Sequence, residues 1–228
     1  MKTCPFFKIC CGSAVVMLAA SLGVADETKS KPDKTENPPA APRTHESLRE
    51  ELIKRVKDDQ AARMEIIEWM KKHQTNDPEK LKKMNDEPIV KKLLEIDHGN
   101  TKWLKEIVDT YGWPSRSMVG DDGAHCAWLL VQHADKDREF QKKCLEMMKD
   151  LAPRSEVSKS DLAYLTDRIL VAENKKQLYG TQFENVNGKM QPVPIEDEEN
   201  LEKRRKDANL PTMAEYRQIV EKTYSQKK

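Results

Sequence analysis

The chain has 228 residues, 35% of them charged, with a formal net charge of +1. Charges this balanced and interspersed leave no basic face for nucleic acid, so no nucleic-acid partner is expected. The length suits one domain with a substantial core.

Lys2 and Lys8 flank the start of an apolar run, Ile9 to Leu22, followed by Gly23-Val24-Ala25 before Asp26. This is the anatomy of a secretory signal peptide. The run is shorter than the about 20 residues that a membrane span needs. Residues 1–25 are therefore expected to be removed on export to a periplasmic or extracellular space, leaving no membrane span. Their loss takes two lysines and no acid, so the formal charge of +1 becomes −1. Residues 26–46 are predicted to be a disordered linker, because 26–42 hold four prolines and no large apolar residue and cannot repay the entropy of ordering.

The remainder, 47–226, reads as a mainly α, bundle-like single domain with one β-hairpin at about 178–195. The first helix is predicted to start near Ser47, where Ser47-Leu-Arg-Glu50 forms a capping box. Its stripe runs Ile53, Val56, Gln60, Arg63, Ile67 and Met70 at helical steps of three and four. Gln60 and Arg63 stand where apolar residues are expected, with Asp59 beside them. Two readings stand: an i, i+4 pair of Asp59 with a snorkelling Arg63, or the lining of a site.

Pro88 suits the start of a second helix. Its stripe is Ile89, Leu93, Ile96, Asn100, Leu104, Ile107 and Tyr111, and Gly112 with Pro114 ends it. After a loop at Ser115–Gly120, a short helix from about Asp122 to His133 is apolar on nearly every face and so is predicted to be central. A turn at Asp135-Lys136-Asp137 leads to a helix ending near Leu151. Ser158 to Asp161 caps the next, with Leu162, Leu165 and Ile169 inward. Asn187-Gly188 marks a type I′ hairpin turn, and the prolines after it confine the second strand to an edge. Two helices close the chain, at about 197–207 and from Thr212, where Thr212-Met-Ala-Glu215 is another capping box.

Polar groups inside these apolar helices are costly to bury, which points to a site. His133 ends the central helix, with Gln132 and Asp135 adjacent, and His98 and Asp97 lie near Gly99. Asp167 and Arg168 sit one step from an apolar stripe. As a hydrolase-type enzyme, the chain would use His133 as general base or ligand, Asp135 or Asp167 as its orienter and Arg168 as an anion clamp. Gln60, Arg63, Asn100, Trp113, Gln132, Tyr179 and Gln182 would contact substrate. The same groups also fit a module that binds a small molecule or peptide without catalysis, or a structural domain with buried polar networks.

The metal reading is open. His125 and His133 are eight residues apart with Asp121 four before His125, and imidazole with carboxylate suits zinc, but the spacing matches no standard ligand motif. The two cysteines beyond the signal segment, Cys126 and Cys144, lie about equally far from the Asp135 turn. They are either a disulfide across a helical hairpin or two small buried side chains.

These motifs occur in a fixed order: Asp59-Gln60 with Arg63, Asn100-Thr101, Gly112-Trp113-Pro114, Val119-Gly120, Trp128 to Asp135, Leu165 to Arg168, Tyr179 to Gln182, and Arg204-Arg205. With them the chain resembles a bacterial domain family of unknown function over about residues 47–224. The resemblance implies the fold and the location of a site, and it implies no chemistry. Members often lack a histidine at the place of His125 and a cysteine at that of Cys126. That implies neither a His125 metal ligand nor a family-wide disulfide.

Overall fold

The computed structural model describes residues 43–73, 83–186 and 188–224. The signal segment, most of the linker and Asn187 of the hairpin turn lie outside these ranges. Among the described residues there are seven α-helices: α1 (Arg43–Lys72), α2 (Pro88–Tyr111), α3 (Arg116–Gln132), α4 (Arg138–Leu151), α5 (Lys159–Ala172), α6 (Leu201–Asp207) and α7 (Met213–Tyr224). One antiparallel hairpin, β1 (Phe183–Val186) with β2 (Lys189–Pro192), pairs Phe183 with Pro192 and Val186 with Lys189. The mainly α reading with one hairpin therefore holds. No described helix is long and apolar enough to cross a membrane.

Two boundaries and one buried face differ from the sequence reading. Helix α1 starts at Arg43, inside the segment assigned to the linker and ahead of Ser47. Its buried face is Leu48, Leu52, Asp59, Ala62, Arg63 and Ile66, rotated by about one position from the predicted stripe, so Asp59 and not Gln60 is fully buried. The stretch before Asp122 is a helical turn, 116–119, broken from the rest of α3 at Gly120 (φ 75°).

Helix α1 packs along α3 and α2, and α5 packs on α4. Leu52, Leu104, Trp128, Leu165 and Tyr216 belong to one continuous core. A separate small cluster, Ala62, Ile66, Val90 and Leu93, joins α1 to α2 beyond it. Along α1 the charged pair Asp59 and Arg63 falls where one apolar cluster gives way to the other, and on α2 Asp97 does the same. The ends of the elements are capped as their sequences require: the Asp137 carboxylate accepts from Phe140 N at 3.0 Å and Ser158 Oγ from Asp161 N at 3.3 Å, each satisfying an orphan amide of its first turn.

Candidate functional site

Four polar residues meet where α1, α2 and the end of α3 converge. Asp59 and Arg63 stand one turn apart on α1, so their side chains share a face. Arg63 Nε donates to both Asp59 oxygens at 3.2 Å, and its guanidinium also contacts the Asp97 carboxylate from α2. His133, the C-terminal cap of α3, places Nδ1 3.0 Å from Asp59 Oδ2 and 3.1 Å from Arg63 Nε. Gln60 Nε2 donates to Asp59 Oδ2 at 2.9 Å.

One nitrogen cannot donate to Asp59 and accept from Arg63 at once. Arg63 already has both Asp59 oxygens, and an ionised carboxylate beside the ring favours Nδ1–H as donor to Asp59. That leaves Nε2 as the proton-accepting nitrogen, and Nε2 is buried without a hydrogen-bond partner among the described residues. His133 and Asp97 both line a cleft of about 620 Å³, a size suited to a small molecule.

The charges divide unequally. Burial alone would raise the Asp59 carboxyl, but His133 and then Arg63 outweigh it and hold it well below the usual carboxylate range. Burial pushes the Asp97 carboxyl up to about 7; the charges of Asp59 and Asp135 reinforce this against the pull of Arg63. Burial, followed by the Arg63 charge, lowers the His133 imidazole against the pull of Asp59. Near neutral pH the site therefore favours a neutral imidazole and a carboxyl that burial inclines to keep its proton. Such a pair can take a proton at one place and give one at another.

Asp135 has a different partner from the one expected. Its carboxylate is clasped by Arg168, with Nε at 2.8 Å, and Arg138 and Gln141 stand behind it. Burial would raise this carboxyl, but Arg168 outweighs it and lowers it. His133 is thus oriented by Asp59, and the Asp135–Arg168 pair borders the site as a second ion pair.

Asp167 lies elsewhere. It accepts from the backbone amides of Leu178 (2.7 Å), Tyr179 (3.0 Å) and Thr181 (3.0 Å) and from the Thr181 hydroxyl (2.9 Å), which exhausts its acceptor capacity in holding the approach to the hairpin. Tyr179 and Gln182 belong to that same loop: Arg205 donates to Tyr179 O, and Gln182 N donates to Gln177 Oε1 at 2.8 Å. None of these residues lines the His133 cleft, so the hairpin does not cover it. Asn100 accepts from Arg55 at 3.1 Å in the α1–α2 seam. Trp113 lines a second cavity. Gln132 is fully buried, with neither amide atom partnered among the described residues.

Asp59 and Asp97 complete the cluster; the sequence reading names both beside other candidates but gives neither a catalytic or substrate-binding role. The Asp59–Arg63 spacing carried a signal for the first. The second stood next to His98 on the polar edge of a stripe, a position that one-dimensional spacing reads as surface.

Asp59, Asp97 and His133 can each offer one ligand atom, all within 4.8 Å of one another, and one imidazole with two carboxylates suits zinc or a similar divalent ion. However, Arg63 already contacts all three groups, so a metal there would have to displace a guanidinium. Neither His125 nor Asp121 belongs to this set; His125 pairs with Asp161 at 3.1 Å. Both thiols, Cys126 and Cys144, are free and buried, which is the second of the two readings open from their spacing.

A helical domain with a buried ion network opening on a cleft is the class that the fold and site define. Residues 46–228 match the model of a family of unknown function (DUF6624), and the chain belongs to that family. No curated protein and no solved structure matches it.

Proposed function

We propose that the chain is a hydrolase-type enzyme acting on a small molecule admitted to the α2–α3 cleft. His133 would act as general base and Asp97 as general acid. One observation carries this reading: His133 lines the cleft, its Nδ1 is tied to Asp59, and its Nε2, the buried nitrogen left to accept a proton, has no partner among the described residues. His133 Nε2 takes a proton from water, and the resulting hydroxide attacks the substrate. Asp97 in its protonated form gives its proton to the leaving group, and Asp59 stabilises the imidazolium meanwhile. The basic and apolar make-up of residues 1–25 supports action outside the cytoplasm.

A second reading rests on Arg63. A guanidinium shared by two carboxylates and an imidazole is also the composition of a packing network that fixes helix positions and does no chemistry. A panel of chromogenic esters, phosphoesters and amides separates the two, run on the full chain and on His133→Gln with urea unfolding of both. The enzyme reading expects turnover that falls at least about 100-fold in the variant, with the midpoint of unfolding little changed. Lost stability with no turnover in either protein would sink it in favour of the network. Metal analysis of the same samples bears on the zinc reading: near-stoichiometric zinc that disappears in His133→Gln would replace the acid–base scheme with metal activation of water.

A further inference from the structure

A second cavity, of about 470 Å³, opens beside α3, α4 and α5 and shares no lining residue with the His133 cleft. Its acids are all matched. Asp161 pairs with His125 at 3.1 Å, Asp121 with Arg116 at 2.6 Å, and Asp122 accepts from Arg49 Nε at 2.9 Å. Its donors are not all matched. Trp113 and Trp128 line the cavity at 4% and 1% exposure, and the indole N–H of each is buried without an acceptor among the described residues. A buried donor left unpaired costs about as much as a lost hydrogen bond; both indole nitrogens lie within the wall of this one cavity rather than at its surface, so a ligand's acceptor atom would reach them by a small shift of that wall. Tyr164, Met148 and Val157 supply apolar wall.

From this surplus of donors we infer that the cavity is a second ligand site, for a small apolar or aromatic molecule carrying a carboxylate. A cationic ligand fits it poorly. The His125 ring already lies 4.9 Å from the Trp128 ring and against Asp161, so the place where an ammonium would meet both an aromatic face and an anion is filled. Burial works against a charge on His125, but Asp161 outweighs it and keeps the imidazole more basic than usual.

The test is a titration of the full-length, ¹⁵N-labelled protein with benzoate, benzamide and benzylamine, read at the four indole N–H signals. Benzoate is expected to shift Trp113 and Trp128 saturably and leave Trp69 and Trp103 in place. Benzamide, which brings an acceptor without charge, is expected to bind about tenfold more weakly, and benzylamine not to bind. His125→Gln, whose amide can still donate to Asp161 and whose folding is checked by its unfolding midpoint, is expected to weaken benzoate about tenfold. Preference for benzylamine, the absence of saturable shifts with all three probes, or unchanged benzoate affinity in His125→Gln would each overturn the assignment.

Discussion

At the scale of single residues, what sets the site's behaviour is that one guanidinium serves two carboxylates. Arg63 and His133 leave Asp59 ionised, and Asp97, more exposed and less well compensated, carries the cost. The pH dependence follows with opposite signs. A carboxyl raised to about 7 from an ordinary 3.8 keeps its proton in the fold while the unfolded chain has lost it, so Asp97 makes stability fall as pH rises from about 4 to 7. His133, lowered from 6.5, stays neutral in the fold while the unfolded chain takes up a proton, so its contribution is lost as pH drops below about 6.5. The two trends oppose each other between pH 4 and 6.5. Asp97→Asn removes the first, and its unfolding free energy is expected to climb more steeply with pH across that interval than that of the unsubstituted protein. Equal slopes in urea titrations at a series of pH values would refute the assignment, as would a ¹³C carboxyl titration placing the Asp97 midpoint near 4.

At the scale of elements, the Asp167 carboxylate on α5 does for the hairpin what an N-cap does for a helix. It gathers three backbone amides and one hydroxyl from the Leu178–Thr181 turn. Asp167→Ala would leave these donors unpaired beneath β1 and is expected to cost about 3 kcal/mol or more, on a scale of about 1–3 per orphaned buried group. Gly180→Ala tests the same turn differently. Gly180 has φ 69°, and a Cβ there would stand 3.1 Å from both Ile195 Cδ1 and Met213 Sδ, so a loss of about 1–2 kcal/mol is expected from the backbone alone. Thermal unfolding of the two variants would expose an error if either melted like the parent. The elements themselves were largely legible: the stripes, caps and Asn-Gly turn fixed seven helices and a hairpin in the right order. The partners of His133 were not. Asp135 and Asp167 are near it, or near Arg168, in sequence, whereas Asp59 reaches it from 74 positions away through the packing of α1 on α3. Spacing along one helix reveals which face is polar, and only the packing of a second helix decides which polar face it meets.

At the scale of the whole molecule, burial governs the thiols as well as the ions. Burial pushes Cys126 up to about 11 and Cys144 up to about 12, so neither holds appreciable thiolate at pH 8. A thiol reagent is expected to leave both untouched in the native protein and to label both on denaturation without reductant; a disulfide would give no labelling there. The division of the apolar interior has a wider effect. The Ala62–Ile66–Val90–Leu93 cluster touches the rest of the chain across the line of Asp59, Arg63 and Asp97, and polar joints transmit cooperativity less well than close-packed hydrocarbon. The far ends of α1 and α2 thus form a unit that can melt by itself while α3 to α5 stay intact. Their amides should exchange with deuterium well before those of Leu130 or Leu165, and Arg63→Met, which swaps the joint for a continuous apolar seam, should draw the two rates together. The residues that would do the chemistry are in this way also the line between the helix ends expected to exchange early and the larger core expected to exchange late.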